Sequence, residues 1–212
     1  MKRNVFAAGL AIALAFASLS TFAQEKKLPP VDPSPMDMAY YPAMYPYVVK
    51  VKGEPGALVA RVIYSRPQKK GRAIFGDLLE YDKLWRLGAN EASEIEFFRT
   101  VTIGGKTVPK GRYTIYAIPH QSKWTVILNK DTDIWGAYKY NQTLDVVRTD
   151  VPTEATPDEV EAFTMAFEKA NGGADLVMAW DKTQVSLPIK FSDSKPVATT
   201  KPATKPKTAT KK

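Results

Sequence analysis

The chain has 212 residues, no cysteine, one histidine and a formal net charge of +8. The lack of cysteine excludes disulfides, thiolate-bound zinc, iron–sulfur clusters and thiol nucleophiles, and a single histidine excludes a histidine-cluster metal site. The charge sits at the ends: without Lys2, Arg3 and the lysines at 195, 201, 205, 207, 211 and 212, residues 24–194 hold 22 basic residues against 22 acidic ones. A body with no net charge argues against nucleic-acid binding by the folded domain, whose own surface would need to be basic.

In chain order, Lys2 and Arg3 open a basic n-region, Val5 to Ala17 run almost wholly apolar, and Ser20-Thr21-Phe22-Ala23 supplies small residues for cleavage. This pattern predicts a signal peptide over residues 1–23 and a mature protein that is periplasmic or secreted. The apolar run is shorter than the ~20 residues a membrane-spanning helix needs, and no transmembrane segment is expected in the mature chain. Residues 24–46 hold prolines at 29, 30, 33, 35, 42 and 46. They predict an extended arm, free of helix and of most strand pairing, whose tyrosines and methionines lie across the domain.

The domain is expected over 47–191 and reads mostly as strands. VVKVK (48–52) precedes a Gly-Glu-Pro-Gly turn, and ALVARVIYS (57–65) is β-branched and aromatic. IEFFRTVTI (95–103) puts Ile95, Phe97, Val101 and Ile103 on one face, with Arg99 breaking the pattern. Gly104-Gly105 signals a tight hairpin, and Pro109-Lys110-Gly111 a second turn. RYTIYAI (112–118) and KWTVILN (123–129) alternate, as do 174–180 and 183–189. Thr156-Pro157-Asp158-Glu159 has the form of a helix start, so one helical turn followed by a strand is expected there. The pattern implies an all-β fold: an antiparallel β-sandwich, jelly-roll-like or a partly closed barrel, with short helical turns. Residues 192–212, a Lys/Pro/Thr/Ala tail, are expected to be disordered, serving either as a solvated tail or as an attractor for an anionic envelope polymer.

The densest polar stretch, YSRPQKKGRAIFGDLLEYDKLWRLGANEASEIE (64–96), joins two strands through about thirty residues of weak regular structure, which in a compact domain is often functional. Arg66, Arg72 and Arg86 offer planar donor forks for carboxylates or phosphates. Trp85 offers a stacking face, and Asn90 and Glu91 would orient a ligand. The alternative is that these charges satisfy one another and the loop backbone.

YSRPQKKGRAIFG, LWRLGANEASEIEFF, VTIGGKTVPKGRYTIYAIP, WTVILNKDTDIWGAYKY and DLVMAWDKTQVSLPI together resemble the bacterial family called domain of unknown function 2911, over essentially all of residues 34–190. The resemblance implies a secretion signal and a mostly β body, and brings no activity or catalytic residue. Where the family tends to have glycines near 77 and 82, this chain has Asp77 and Asp82, so the loop backbone is expected to differ there.

His120 falls in a turn, Pro119-His120-Gln121-Ser122, with no partner recognisable by motif, and is expected to be an exposed turn residue rather than a general base. Asp131 and Asp133 form a polar turn rather than a calcium loop, since the ligand series of an EF-hand is missing. Trp135, Tyr138 and Tyr140 form either an aromatic platform for a sugar or an ordinary aromatic cluster. The resulting expectation is an exported protein that binds a small polar or carbohydrate-like ligand or an envelope partner, with no cofactor. The alternative is a hydrolase in which Glu91 or Asp77 acts as acid or base beside a charge-stabilising arginine.

Overall fold

The computed structural model describes residues 28–191. The signal peptide expected over 1–23 and the tail over 192–212 lie outside the described residues. The chain divides into two units at Asp32–Pro33. Residues 28–32 of the first unit lack regular structure and are exposed. The fold of the second unit follows.

Nine strands build it: β1 (Met36–Tyr41), β2 (Ala60–Ser65), β3 (Glu94–Phe97), β4 (Val101–Ile103), β5 (Lys106–Val108), β6 (Gly111–Pro119), β7 (Lys123–Asn129), β8 (Asp145–Ala170) and β9 (Gly173–Phe191). They form one antiparallel sheet in the order β1-β2-β3-β6-β7-β8-β9-β4-β5, and its edge strands do not pair to close a barrel. The all-β, antiparallel class read from the sequence is therefore present. A π-helical turn (Pro46–Val51) and a 3-10 turn (Gln142–Leu144) are the short helical pieces.

The two longest strands fold the sheet onto itself. The first part of β8 pairs with β7, as in Val126 against Thr149. Its remainder pairs with β9, with register shifts between Ala155 and Val160 and between Val160 and Thr164. The expected helical turn at 156–159 is absent, and this stretch is the irregular part of β8. Pro157 has no N–H to give a ladder, and a bulge accommodates that defect while bending the strand. Past the bend, β8 returns over β2: the Tyr64 hydroxyl donates to the Met165 carbonyl at 3.1 Å, and the Tyr64 and Phe163 rings meet edge to face at 5.9 Å.

The enclosed core draws on both halves, including Val62, Ile95, Phe97, Ile115, Trp124, Phe163, Leu176 and Trp180. Each large apolar side chain removed from water here contributes about 1.5–3 kcal/mol. The predicted strand 95–103 is split: β3 pairs with β2 and β6, while β4 pairs with β5 and β9. Arg99, the residue that broke the apolar alternation, lies in the crossing between them, its guanidinium 5.8 Å from the Phe191 ring centre. Gly104 and Gly105, both at positive φ (55° and 75°), make the β4–β5 turn. A Cβ on Gly104 would come within 2.7 Å of Thr149.

Two N-terminal expectations are corrected. Met36–Tyr41, between Pro35 and Pro42, contains no proline and pairs fully with β2, so this part of the arm belongs to the sheet. VVKVK, read as a strand, lies in the π-helical turn apart from Lys52, which caps it, and none of the turn's residues is buried.

Strand β6 is buried on both faces. Ile115 and Ala117 face the main core. Tyr116 lies in a second, smaller cluster with Ala92 and Ile127, roofed by Leu84, Ile118, Ile134, Ala137 and Tyr140. Apart from Ile118, which is on β6 itself, the roof comes from two loops, around 84–92 and 131–140. Among the described residues, no helix is long and apolar enough to cross a membrane.

Candidate functional site

The loop after β2 is tied down at intervals. Arg66 bridges three groups: Nε donates to the Phe163 carbonyl at 3.2 Å, Nη1 to Asp37 at 3.0 Å and Nη2 to the Thr164 hydroxyl at 2.8 Å. Arg72 donates to the carbonyls of Lys69 (2.9 Å) and Gln68 (2.6 Å), closing its own turn. Both guanidiniums are thus engaged by protein groups, that of Arg66 half-buried and that of Arg72 exposed. Trp85, proposed as a stacking face, is 5% exposed and belongs to the core. Its indole N–H donates to the Gly88 carbonyl at 3.2 Å, and its ring stacks on Trp180 at 5.9 Å. Its backbone pairs with Ala117, which aims the ring inward.

Beyond Trp85 the chain turns outward. Leu87 and Asn90 adopt left-handed φ values of 53° and 59°, and the buried Ser93 hydroxyl donates to the Leu87 carbonyl. Left-handed geometry is unfavourable for leucine, so burial of its side chain and the bond from Ser93 must hold this turn. The loop then pairs with 134–136. The Ala92 N–H donates to the Ile134 carbonyl at 2.9 Å, and the Gly136 N–H to the Asn90 carbonyl at 3.0 Å. These bonds flank the antiparallel bridge Glu91–Trp135, which makes it a non-hydrogen-bonded pair. Such pairs have Cα atoms about 4.5 Å apart and side chains projecting to the same side. Glu91 is exposed and Trp135 is 60% exposed.

Glu91 also lines a cleft of about 220 Å³, together with Met36, Ile63, Ala92, Glu94, Asp133 and Ile134. Its floor is apolar and its rim acidic. Two of the carboxylates are held by Arg112, with Nη2 2.5 Å from Asp133 and Nη1 3.3 Å from Glu94. Hydrogen bonding to Asp133, then the charge of Glu94, raises the guanidinium's pKa and keeps it charged. The Asp133 N–H donates to Glu94 at 2.7 Å, locking the pair. Among the described residues Glu91 forms no ion pair, and it is not paired with Arg86. Arg86 lines a different cavity. Beneath the roof, burial pushes the Tyr116 phenol up to about 12. Burial and then a hydrogen bond to Asp145 raise that of Tyr140. Both remain neutral donors at ordinary pH.

Of the six predicted ligand residues, Arg66, Arg72 and Trp85 are drawn into the fold, Asn90 shapes the turn, Glu91 reaches this cleft and Arg86 a separate one. Asp77, the other proposed acid or base, is exposed and lines neither cavity.

His120 is not an isolated turn residue. Its Nδ1 contacts Asp82, and its Nε2 lies 3.2 Å from the Thr125 hydroxyl, which donates to Asp150 at 2.6 Å. Hydrogen bonds from Lys123 and then Thr125 hold the Asp150 carboxyl below the usual carboxylate range. Asp82 sits at φ 63°. Asp82 is 38 residues from His120 along the chain, so no local motif announces the contact. Among the described residues no group of three histidine, cysteine or acidic side chains is placed to hold a metal ion.

A family model described as a protein of unknown function (DUF2911) matches residues 48–189. The chain belongs to this family. No curated protein and no solved structure matches it. DUF2911 membership accounts for most of the β body and leaves the function to be argued from the site.

Proposed function

We propose that the protein is an exported binding protein for a carbohydrate-like ligand, seated in the cleft beside Glu91 and Trp135. The carrying observation is the narrow antiparallel pair that sets an exposed indole, Trp135, beside Glu91, a carboxylate that lines an apolar-floored cleft. A pyranose ring presents C–H groups on one face and hydroxyls at its edge. An indole covers the first, and carboxylates accept hydrogen bonds from the second. Arg112 holds the Glu94 and Asp133 carboxylates in place, so they accept without rearranging. Export to the periplasm or beyond rests on the basic, apolar and small-residue pattern of residues 1–23. There the ligand class includes envelope polysaccharides.

The test is calorimetric titration of the full chain, lacking residues 1–23, with cello-, malto- and chito-oligosaccharides. Saturable binding that weakens at least tenfold in both Glu91→Gln and Trp135→Ala supports the reading. Absence of binding to any of them, or unchanged affinity in both variants, overturns it.

A second reading follows from the same carboxylates. Glu91 lines the cleft with Glu94 and Asp133 and, among the described residues, forms no ion pair, which leaves it available as an acid–base group for glycoside hydrolysis. Release of reducing sugar from these oligosaccharides, abolished in Glu91→Gln, would establish it. Binding without turnover would dismiss it.

A further inference from the structure

Most described arginines are engaged by other protein groups. Arg61 pairs with Glu96, Arg112 with Glu94 and Asp133, and Arg148 with Asp145. Arg66 and Arg72 hold carbonyls and acids, and Arg99 lies against the Phe191 ring. Arg86 differs. Its Nε, like that of Arg61, is shielded from solvent without a hydrogen bond, but unlike Arg61, whose Nη2 pairs with Glu96, its guanidinium has no carboxylate or carbonyl partner among the described residues. A shielded charged donor left unpaired is costly, and native proteins seldom keep one without a role.

The position of Arg86 is fixed. The Ser93 N–H donates to its carbonyl at 3.1 Å, and Trp85 and Leu87 on either side are buried. Its side chain lines a cavity of about 210 Å³. Leu78, Leu79, Leu84 and Ala137 give this cavity an apolar part, and Lys83 adds a second cation. Glu80 also lines it, so the charged lining sums to one net positive charge.

We infer that this cavity is a second binding site, separate from the acidic cleft, for a small organic carboxylate with a compact apolar body. The planar fork of Arg86 matches a carboxylate, with Lys83 adding attraction at the mouth. One net positive charge suits a monoanion, whereas a phosphate dianion would meet Glu80. The apolar walls take a short hydrocarbon or aryl group, and the volume is too small for a long acyl chain.

Benzoate is the probe, with benzamide as its neutral counterpart and inorganic phosphate as the competing anion. Binding is read from Trp fluorescence and calorimetry on the full chain lacking residues 1–23. Benzoate should bind saturably, with benzamide and phosphate each at least tenfold weaker. Arg86→Gln should weaken benzoate at least tenfold, and Arg86→Lys should fall between, having charge without the fork. Three results overturn the proposal: no saturable benzoate binding, equal binding of benzamide or phosphate, or unchanged benzoate affinity in Arg86→Gln. Should Arg86→Gln fail to fold, Lys83→Gln carries the test. A several-fold loss then supports the site, and unchanged affinity overturns it.

Discussion

The two faces of β6 carry different kinds of burial. The inner face looks into a continuous core in which Trp85, Trp124, Trp180 and Phe163 meet one another ring to ring. The outer face holds a small cluster of three buried residues, Ala92, Tyr116 and Ile127, and the 84–92 loop lines two cavities there, one with Glu91 and one with Arg86. Tryptophans mark the contrast. Trp85 closes the inner core, while Trp135 stands exposed on the outer layer. Stability should therefore reside on the inner face and recognition on the outer one, and substitutions can separate the two.

The largest effect is expected from Trp85→Ala. Emptying a fully packed indole site costs about 3–5 kcal/mol, read as a lower urea midpoint with an unchanged slope. A loss below ~1 kcal/mol would show that the inner core tolerates the gap and would blur the contrast. Arg66→Ala comes next. It removes the bonds to the Phe163 carbonyl, Thr164 and Asp37, which join the start of the loop to the returning half of β8. The group is partly exposed, so a loss of about 1–3 kcal/mol is expected by the same measurement.

The outer layer should show itself in alkali. Tyr140 has its pKa raised by burial first and its bond to Asp145 second, and Tyr116 is pushed up to about 12. The fold favours both neutral phenols. Their contribution is fully present below the unfolded tyrosine range, about 10, and is lost as pH rises from there towards the folded values. Tyr140→Phe should make that alkaline decline shallower in a stability–pH series. An unchanged slope would place the titrating groups elsewhere.

The smallest effect belongs to Asp150, which is exposed and whose pKa is lowered by Lys123 and Thr125. Its contribution is present above the unfolded aspartate range, about 3.9, and is lost as pH falls through the lower folded value. Asp150→Asn should slightly flatten the acid limb and leave stability at neutral pH within ~1 kcal/mol.

What the sequence revealed follows the same division. Inner-face strands were legible because alternation is a local signal: Trp124, Val126 and Leu128 read inward and are buried. The stretch 95–103 reads as one strand although Arg99 breaks its alternation, and the structure splits it there into β3 and β4. The helix-start pattern at 156–159 misled because long-range pairing with β9 overrode a local preference. In the outer layer, Glu91 and Trp135 each stood out alone, yet 44 residues separate them and loop pairing has no periodicity to read. The three arginines looked alike in sequence. Arg66 is engaged by tertiary partners and Arg72 by carbonyls of its own turn, and neither geometry is written in the residue pattern that they share with Arg86.

The most direct test of the central claim pairs two readings on Trp135→Ala. Oligosaccharide affinity is measured by calorimetry and unfolding free energy by urea titration. The account predicts affinity reduced at least tenfold and unfolding free energy within ~0.5 kcal/mol of the parent. Unchanged affinity, or a loss of stability comparable to that of Trp85→Ala, would contradict it.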